Sequence, residues 1–223
     1  MCECIVQHAC PENLLGLLAH NGMHKACADR HAFNHSLNAA ATFALASARN
    51  VIKPGMPVSA IRQRHGQLEC VKVRWGWSPI WTMGTLPPRT HLPMSLVMRS
   101  RVFDPVWREG RVLVAVDGWY DTPVESTSPQ SRRLSYTTSR QSSPIFLAAL
   151  AQVSDKPSGC NGLALLTCDD QQRLLAFGAE DAQAWLQPDL PWQQAQEMAA
   201  HVAVDEPQLE HVLTAQRLFQ GKR

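Results

Sequence analysis

Short apolar runs that stop at turn-forming residues, with no helix set regularly between them, constrain this chain more than any other feature. The stretches 112–116, 145–151 and 162–167 are continuously apolar, of strand length, and flanked by Gly, Pro, Ser or Asp. Two more β-rich runs, 58–62 and 70–75, are separated by a turn that contains Gly66. A further apolar stretch, 39–48, is short of charge, and its period does not separate strand from helix. A doubly wound parallel sheet requires strand and helix to alternate. That rhythm is missing, so the expected class is α+β.

Helical signals gather towards the two ends. Residues 11–28 place Pro11 near a first turn, where its missing N–H costs nothing, ahead of Leu14, Leu15, Leu17 and Leu18. Beyond Glu180, the positions Ala182, Trp185 and Leu186 are spaced for one helix face, and 192–200 and 202–213 read as two further helical segments. The stretch 122–143 is dense in Ser, Thr, Gln and Pro and carries Arg132, Arg133 and Arg140. It reads as a mobile loop or a long hairpin, too short to link domains. With 223 residues and 45% hydrophobic content, a single domain over 1–223 is expected.

No run of about 18 apolar residues is present, and the first twenty positions lack a basic segment followed by an apolar core and a small-residue cleavage site. A soluble cytoplasmic protein without membrane contact is expected. Seven cysteines, an odd number with no framework spacing, fit a reducing compartment. A net charge of +2 excludes a strong whole-protein field for nucleic acid. Arginine nonetheless outnumbers lysine about three to one, and the planar guanidinium suits phosphate oxygens better than a point charge does.

The chain opens Met1-Cys2. Once an N-terminal cysteine is exposed it presents a thiol and an α-amine together, and that pair captures aldehydes: the amine condenses to a Schiff base and the thiolate closes a five-membered thiazolidine on it. The bland alternative is an ordinary terminal residue. Two other groupings look ligand-like: His20, His24, Cys27, His31 and His35, and Cys2, Cys4, His8 and Cys10. Neither has paired Cys-x-x-Cys or His-Glu-x-x-His grammar, so no metal and no organic cofactor are expected.

Three blocks stand behind Cys2 in order: Arg74-Trp75-Gly76-Trp77-Ser78-Pro79-Ile80-Trp81, then Arg99 to Phe103, then Val112 through Val116-Asp117-Gly118-Trp119-Tyr120-Asp121. Together with Asn50-Val51-Ile52-Lys53-Pro54-Gly55 they resemble the SOS response-associated peptidase (SRAP) family. That family begins Met-Cys-Gly-Arg and carries Asn-Val-Ala-Pro, Trp-Gly-Leu-Ile-Pro-Ser-Trp, Asn-Ala-Arg-x-Glu and Asp-Gly-(Phe/Trp)-Tyr-Glu-Trp blocks. The resemblance runs from Cys2 to about Trp185. It implies one α+β domain with a mainly antiparallel, barrel-like β core and peripheral helices.

The resemblance further implies that the N-terminal cysteine forms a thiazolidine with the ring-opened aldehyde of an abasic site in single-stranded DNA, after self-removal or aminopeptidase removal of what precedes it. Cys2 and Asp121 are the catalytic candidates, Asp121 standing where the family has a glutamate. A carboxylate moves a proton only within about 2.6 to 3.2 Å of it, and Asp121 is one methylene shorter. Arg99 corresponds to the arginine of Asn-Ala-Arg and Arg101 is a second phosphate contact; Asn50 and Thr167 belong to the same strand-binding set. Trp75, Trp81 and Trp119 are candidates for stacking bases, with core packing as the alternative for each.

Departures from the family accompany these matches. The alignment of Met98-Arg99 with Ala-Arg puts Val97 at the family's asparagine. After Thr167 the chain lacks the family's His-x-Arg-Met-Pro, and His201 and His211 read as surface helix histidines. Two alternatives therefore stand beside aldehyde capture: a degenerate paralogue that holds single-stranded or junction DNA without covalent chemistry, and a cysteine-dependent hydrolase.

Overall fold

The computed structural model describes residues 2–7, 15–16, 18, 51–82, 85–121, 134–140, 144–154, 160–168, 173–204 and 208–214. Twelve strands in these residues form two sheets. The first sheet runs β12 (Leu209–Thr214), β8 (Leu134–Ser139), β7 (Gly118–Asp121), β1 (Cys2–Val6), β2 (Val51–Ile52). The second runs β4 (Gln67–Arg74), β3 (Pro57–Arg64), β6 (Arg111–Val116), β9 (Ile145–Gln152), β10 (Gly162–Thr167), β5 (His91–Pro93), with β11 (Ala176–Phe177) paired to β9. Every pairing between named strands is antiparallel except β10 with β5, so the fold is α+β.

The strand runs at 112–116 and 145–151 are continuously apolar because the second sheet is covered on both faces. Val112, Val114, Val116, Leu147, Ala149, Leu163 and Leu165 pack towards the first sheet, against Cys2, Ile5, Trp119 and Leu209. Their neighbours Leu113, Ala115, Phe146, Ala148, Ala164 and Leu166 form a second core on the opposite face. That core is closed by α1 (Met94–Arg99), α2 (Asp104–Glu109), α3 (Ala179–Trp185) and α4 (Trp192–Glu197), through Val97, Trp107, Trp185 and Ala195. Leu18, fully buried, belongs to this core as well. A small outer cluster of Cys4, Val6, Tyr120, Leu134 and Tyr136 lies on the far face of the first sheet.

The expected turn at Gly66 is the two-residue link between β3 and β4, with φ of 51° at His65 and 76° at Gly66, the twist that a tight hairpin needs. One expectation changes. The described residues of 202–213 contain no α-helix: a π-helical turn at Met198–Val202 follows α4, and Leu209–Thr214 is a strand paired along its whole length with β8. The outer edge of β8 supplies a ladder of backbone partners that overrides local preference. Within 122–143 the described residues 134–140 contain β8, which pairs antiparallel with β7; residues 122–133 and 141–143 lie outside the described residues, as do 39–48 and most of 11–28.

Several arginines are consumed inside the fold. Arg111, buried, donates to the carbonyls of Trp185, Trp107 and Pro188 at 3.0 Å each and to that of Gln187, and its guanidinium lies over the Trp107 ring. Helix C-terminal carbonyls lack intrahelical donors, so this cation ties the ends of α2 and α3 to the sheet. Arg140 and Arg173 likewise donate to the carbonyls of Leu209 and Val204. Part of the arginine bias therefore serves architecture.

Candidate active site at the N-terminal strand

β1 is central in its sheet, hydrogen-bonded to β7 on one side and β2 on the other. Its register is broken: Cys2 pairs with Asp121 and Cys4 with Tyr120, so Glu3 is an extra residue. In a regular strand Cys2, Cys4 and Val6 would share one face. The bulge instead turns Cys2 to the side of Ile5, into the layer between the sheets, while Cys4 and Val6 stay on the outer face. Cys2 is 5% exposed, and its thiol donates to the Cys4 carbonyl at 3.6 Å. Burial, followed by the charge of Asp121, holds the Cys2 thiol well above the usual thiol range, so it is protonated at neutral pH.

Asp121 ends β7 directly opposite Cys2. The Trp119 indole N–H donates to Asp121 Oδ2 at 2.6 Å, which fixes the carboxylate. Burial raises the Asp121 pKa; the positive amino terminus, the Trp119 hydrogen bond and His211 all act against that rise. His211 lies on β12, not on a helix, with Nδ1 2.9 Å from Thr137 Oγ1. A carboxylate and a protonated thiol thus share one partly desolvated corner, to which removal of the residue ahead of Cys2 would add an α-amine.

The remaining sequence candidates divide by face. Trp75 is fully buried, with its N–H given to the Thr90 carbonyl at 3.0 Å, and Trp119 is 3% exposed. Neither offers an open ring face to a base; Trp75 is core and Trp119 positions Asp121. Thr167 is 4% exposed and shares the inter-sheet face of Leu163 and Leu165 by strand alternation. Trp81 is 40% exposed and packs edge-on against Trp77 and Phe103, which belong to the helix-side core. Arg99, at the end of α1, and Arg101, just after it, are exposed on that helix side, where the Arg101 carbonyl accepts from the Asp104 N–H. Asn50 lies outside the described residues.

The alignment that sets Val97 at the site is corrected by its position. Val97 is fully buried on α1 in the helix-side core, across the second sheet from Cys2. The residue that reaches the Cys2 layer from this part of the chain is His91. β5 pairs in parallel with β10, His91 opposite Leu165, and alternation sends Leu92 into the helix-side core and His91 to the inter-sheet face. Its ring stands edge-on to Trp75 with centroids 5.8 Å apart. Burial, followed by the positive amino terminus, lowers the His91 pKa to about 4. Sequence reading passed over His91 because no spacing links it to Cys2; only the β5–β10 crossover does.

Among the described residues, no three His, Cys, Asp or Glu side chains converge as a metal site, and no helix is long and apolar enough to cross a membrane. The ligand-like group His20 to His35 lies outside the described residues.

The chain is 27% identical over 158 residues to the abasic site processing protein YedK of Escherichia coli K12, a match covering 67% of this chain and 69% of the relative. Among solved structures, a phage-related protein of Bordetella bronchiseptica superposes with a TM-score of 0.72 at 20% identity, covering 96% of this chain and 95% of that one. A protein of Bacteroides thetaiotaomicron gives a TM-score of 0.63 at 11% identity, covering 96% and 93%. These likenesses are to the fold. The family model of the SOS response associated peptidase (SRAP) matches residues 1–216, and the chain belongs to that family.

Proposed function

We propose that this protein captures the aldehyde of abasic sites in single-stranded DNA as a thiazolidine on Cys2. The observation that carries the reading is the Glu3 bulge, which turns Cys2 into the inter-sheet layer opposite Asp121. The similarity to a relative named for abasic site processing gives the substrate class. Whatever precedes Cys2 is removed first, because the reaction needs a free α-amine.

The chemistry then balances without a cofactor. The amine nitrogen attacks the aldehyde carbon, a C–N bond forms, and the carbonyl oxygen is protonated to a carbinolamine. That oxygen takes a further proton and leaves as water, giving an iminium ion. The Cys2 thiol gives its proton to Asp121 and the sulfur adds to the iminium carbon, returning the electron pair to nitrogen. A thiol this protonated at neutral pH needs an adjacent base, and Asp121, pinned by Trp119, supplies one. Arg99, Arg101 and Trp81, exposed on the helix side, supply basic and aromatic groups for the flanking strand.

The test is a denaturing gel with protein whose free Cys2 amine has been verified by mass. A slow-migrating band is expected on single-stranded DNA with one abasic site. It disappears in Cys2→Ala and on DNA carrying a tetrahydrofuran analogue that has no aldehyde. Absence of the band from verified protein removes the covalent mechanism and leaves DNA binding without capture.

A further inference from the structure

The inter-sheet layer that Cys2 enters contains a polar atom with no structural employment. Thr90 Oγ1 and His91 Nδ1 share a hydrogen bond of 2.9 Å, and the Thr90 carbonyl is fixed in turn by the Trp75 indole and the Leu165 amide. The imidazole is therefore clamped at one nitrogen. Its Nε2 is shut off from solvent and has no hydrogen-bond partner among the described residues. An unsatisfied buried nitrogen costs about 1 to 3 kcal/mol, and in a native structure such an atom calls for a reason.

The reason lies in what surrounds it. The ring sits in the layer that holds Cys2 and Trp119, edge-on to Trp75. Burial is the main influence on Cys2 of β1, Asp121 of β7 and His91 of β5 alike, and the amino-terminal charge of Met1, the residue ahead of Cys2, acts on all three as a smaller one. Glu3 and His211 also act on Asp121 from β1 and β12. Asp121, opposite Cys2 on the first sheet, and His91, on the second, thus both face the layer that Cys2 enters.

We propose that His91 is a catalytic residue of this site: its Nε2 accepts the proton that the Cys2 α-ammonium must lose before attack and returns it to the carbinolamine oxygen that departs as water. This inference rests on aldehyde capture by Cys2. Burial keeps the imidazole neutral, and an ammonium on Cys2 would disfavour its cationic form further, so it gains basicity as the amine gives up its proton. One proton is thereby exchanged between two neighbouring nitrogens. Asp121 is left to the thiol.

Two aldehydes separate this inference from the DNA reading. Protein with a verified free Cys2 amine is mixed with glyceraldehyde, followed by intact mass, and with abasic single-stranded DNA, followed by denaturing gel. His91→Gln is expected to slow thiazolidine formation at least tenfold at pH 7 with both aldehydes, and to flatten the rate profile between pH 5 and 8. Its Tm and its affinity for DNA bearing the tetrahydrofuran analogue stay at the wild-type values. A rate within threefold of wild type with an unchanged profile overturns the role of His91. Wild-type protein that captures glyceraldehyde but not DNA overturns the DNA reading and leaves His91 to be judged on the first arm; capture of neither overturns both. A second measurement needs no variant: the imidazole nitrogen-15 titration of His91 in wild-type protein moves to higher pKa once Cys2 is converted to the glyceraldehyde thiazolidine. No movement places Nε2 away from the amine and refutes the proposal.

Discussion

Replacing Trp119 with phenylalanine keeps an aromatic ring in the inter-sheet core and deletes one contact, the 2.6 Å hydrogen bond from Nε1 to Asp121 Oδ2. A donor to an ionised acceptor contributes about 1.5 to 3 kcal/mol net, and the partial exposure of Asp121 sets the expectation at the low end, about 1.5 kcal/mol. The ring also shrinks, so the contact is isolated by a four-protein cycle: wild type, Trp119→Phe, Asp121→Ala and the double variant, each unfolded in urea. Packing losses common to both backgrounds cancel. The pH dependence has a fixed sign. The bond favours the carboxylate, so the coupling is largest where Asp121 is ionised and falls to that of a neutral pair, about 0.5 to 1 kcal/mol, once it is protonated. A coupling below about 0.5 kcal/mol at pH 7.5, or one larger at pH 4 than at pH 7.5, refutes the assignment of Trp119 as the residue that positions Asp121.

Two further outcomes are expected. Because burial raises the Asp121 pKa in the folded state, ionising this acid opposes folding: the penalty is absent below the unfolded value of 3.8 and grows as pH rises through the folded one. Asp121→Asn is therefore expected to raise Tm at pH 7.5 while slowing aldehyde capture, with the Tm gain shrinking as the pH approaches 3.8; calorimetry across pH checks it, and a lower Tm at pH 7.5 contradicts it. Gly162→Ala is expected to lower stability by about 1 to 3 kcal/mol in urea unfolding. A Cβ there would lie 2.4 Å from the Gly76 carbonyl oxygen and 2.8 Å from Trp77 Cα, both backbone atoms that cannot step aside, and an unchanged urea midpoint would contradict that crowding.

What could be read from the chain followed physical locality. β6, β9 and β10 were legible because burial on both faces leaves an uninterrupted apolar run. β8 was hidden in a Ser- and Thr-rich stretch, and β12 was mistaken for helix, because each is a strand only through its pairing with the other and with β7. Cys2 and Asp121 were marked by their motifs, but the register that sets them opposite one another was not. The Glu3 bulge leaves no trace in composition. The placement of His91 and Val97 is hidden for a similar reason: a three-residue parallel strand sends His91 to the inter-sheet layer, and its partner lies about 75 residues further along the chain, beyond the range of any local pattern.

The central place of β1 sets a schedule for biosynthesis. Its neighbour β7 is made late: at roughly 5 to 20 residues per second, the approximately 110 residues separating Val6 from Gly118 take on the order of 6 to 22 s to emerge. Throughout that interval the first strand has no β7 to zip against. Once β7 arrives and the first sheet closes, the same terminus is 5% exposed at Cys2 and walled in by the second sheet. An enzyme that trims the chain ahead of Cys2 would therefore find β1 unpaired with β7 only before the first sheet closes.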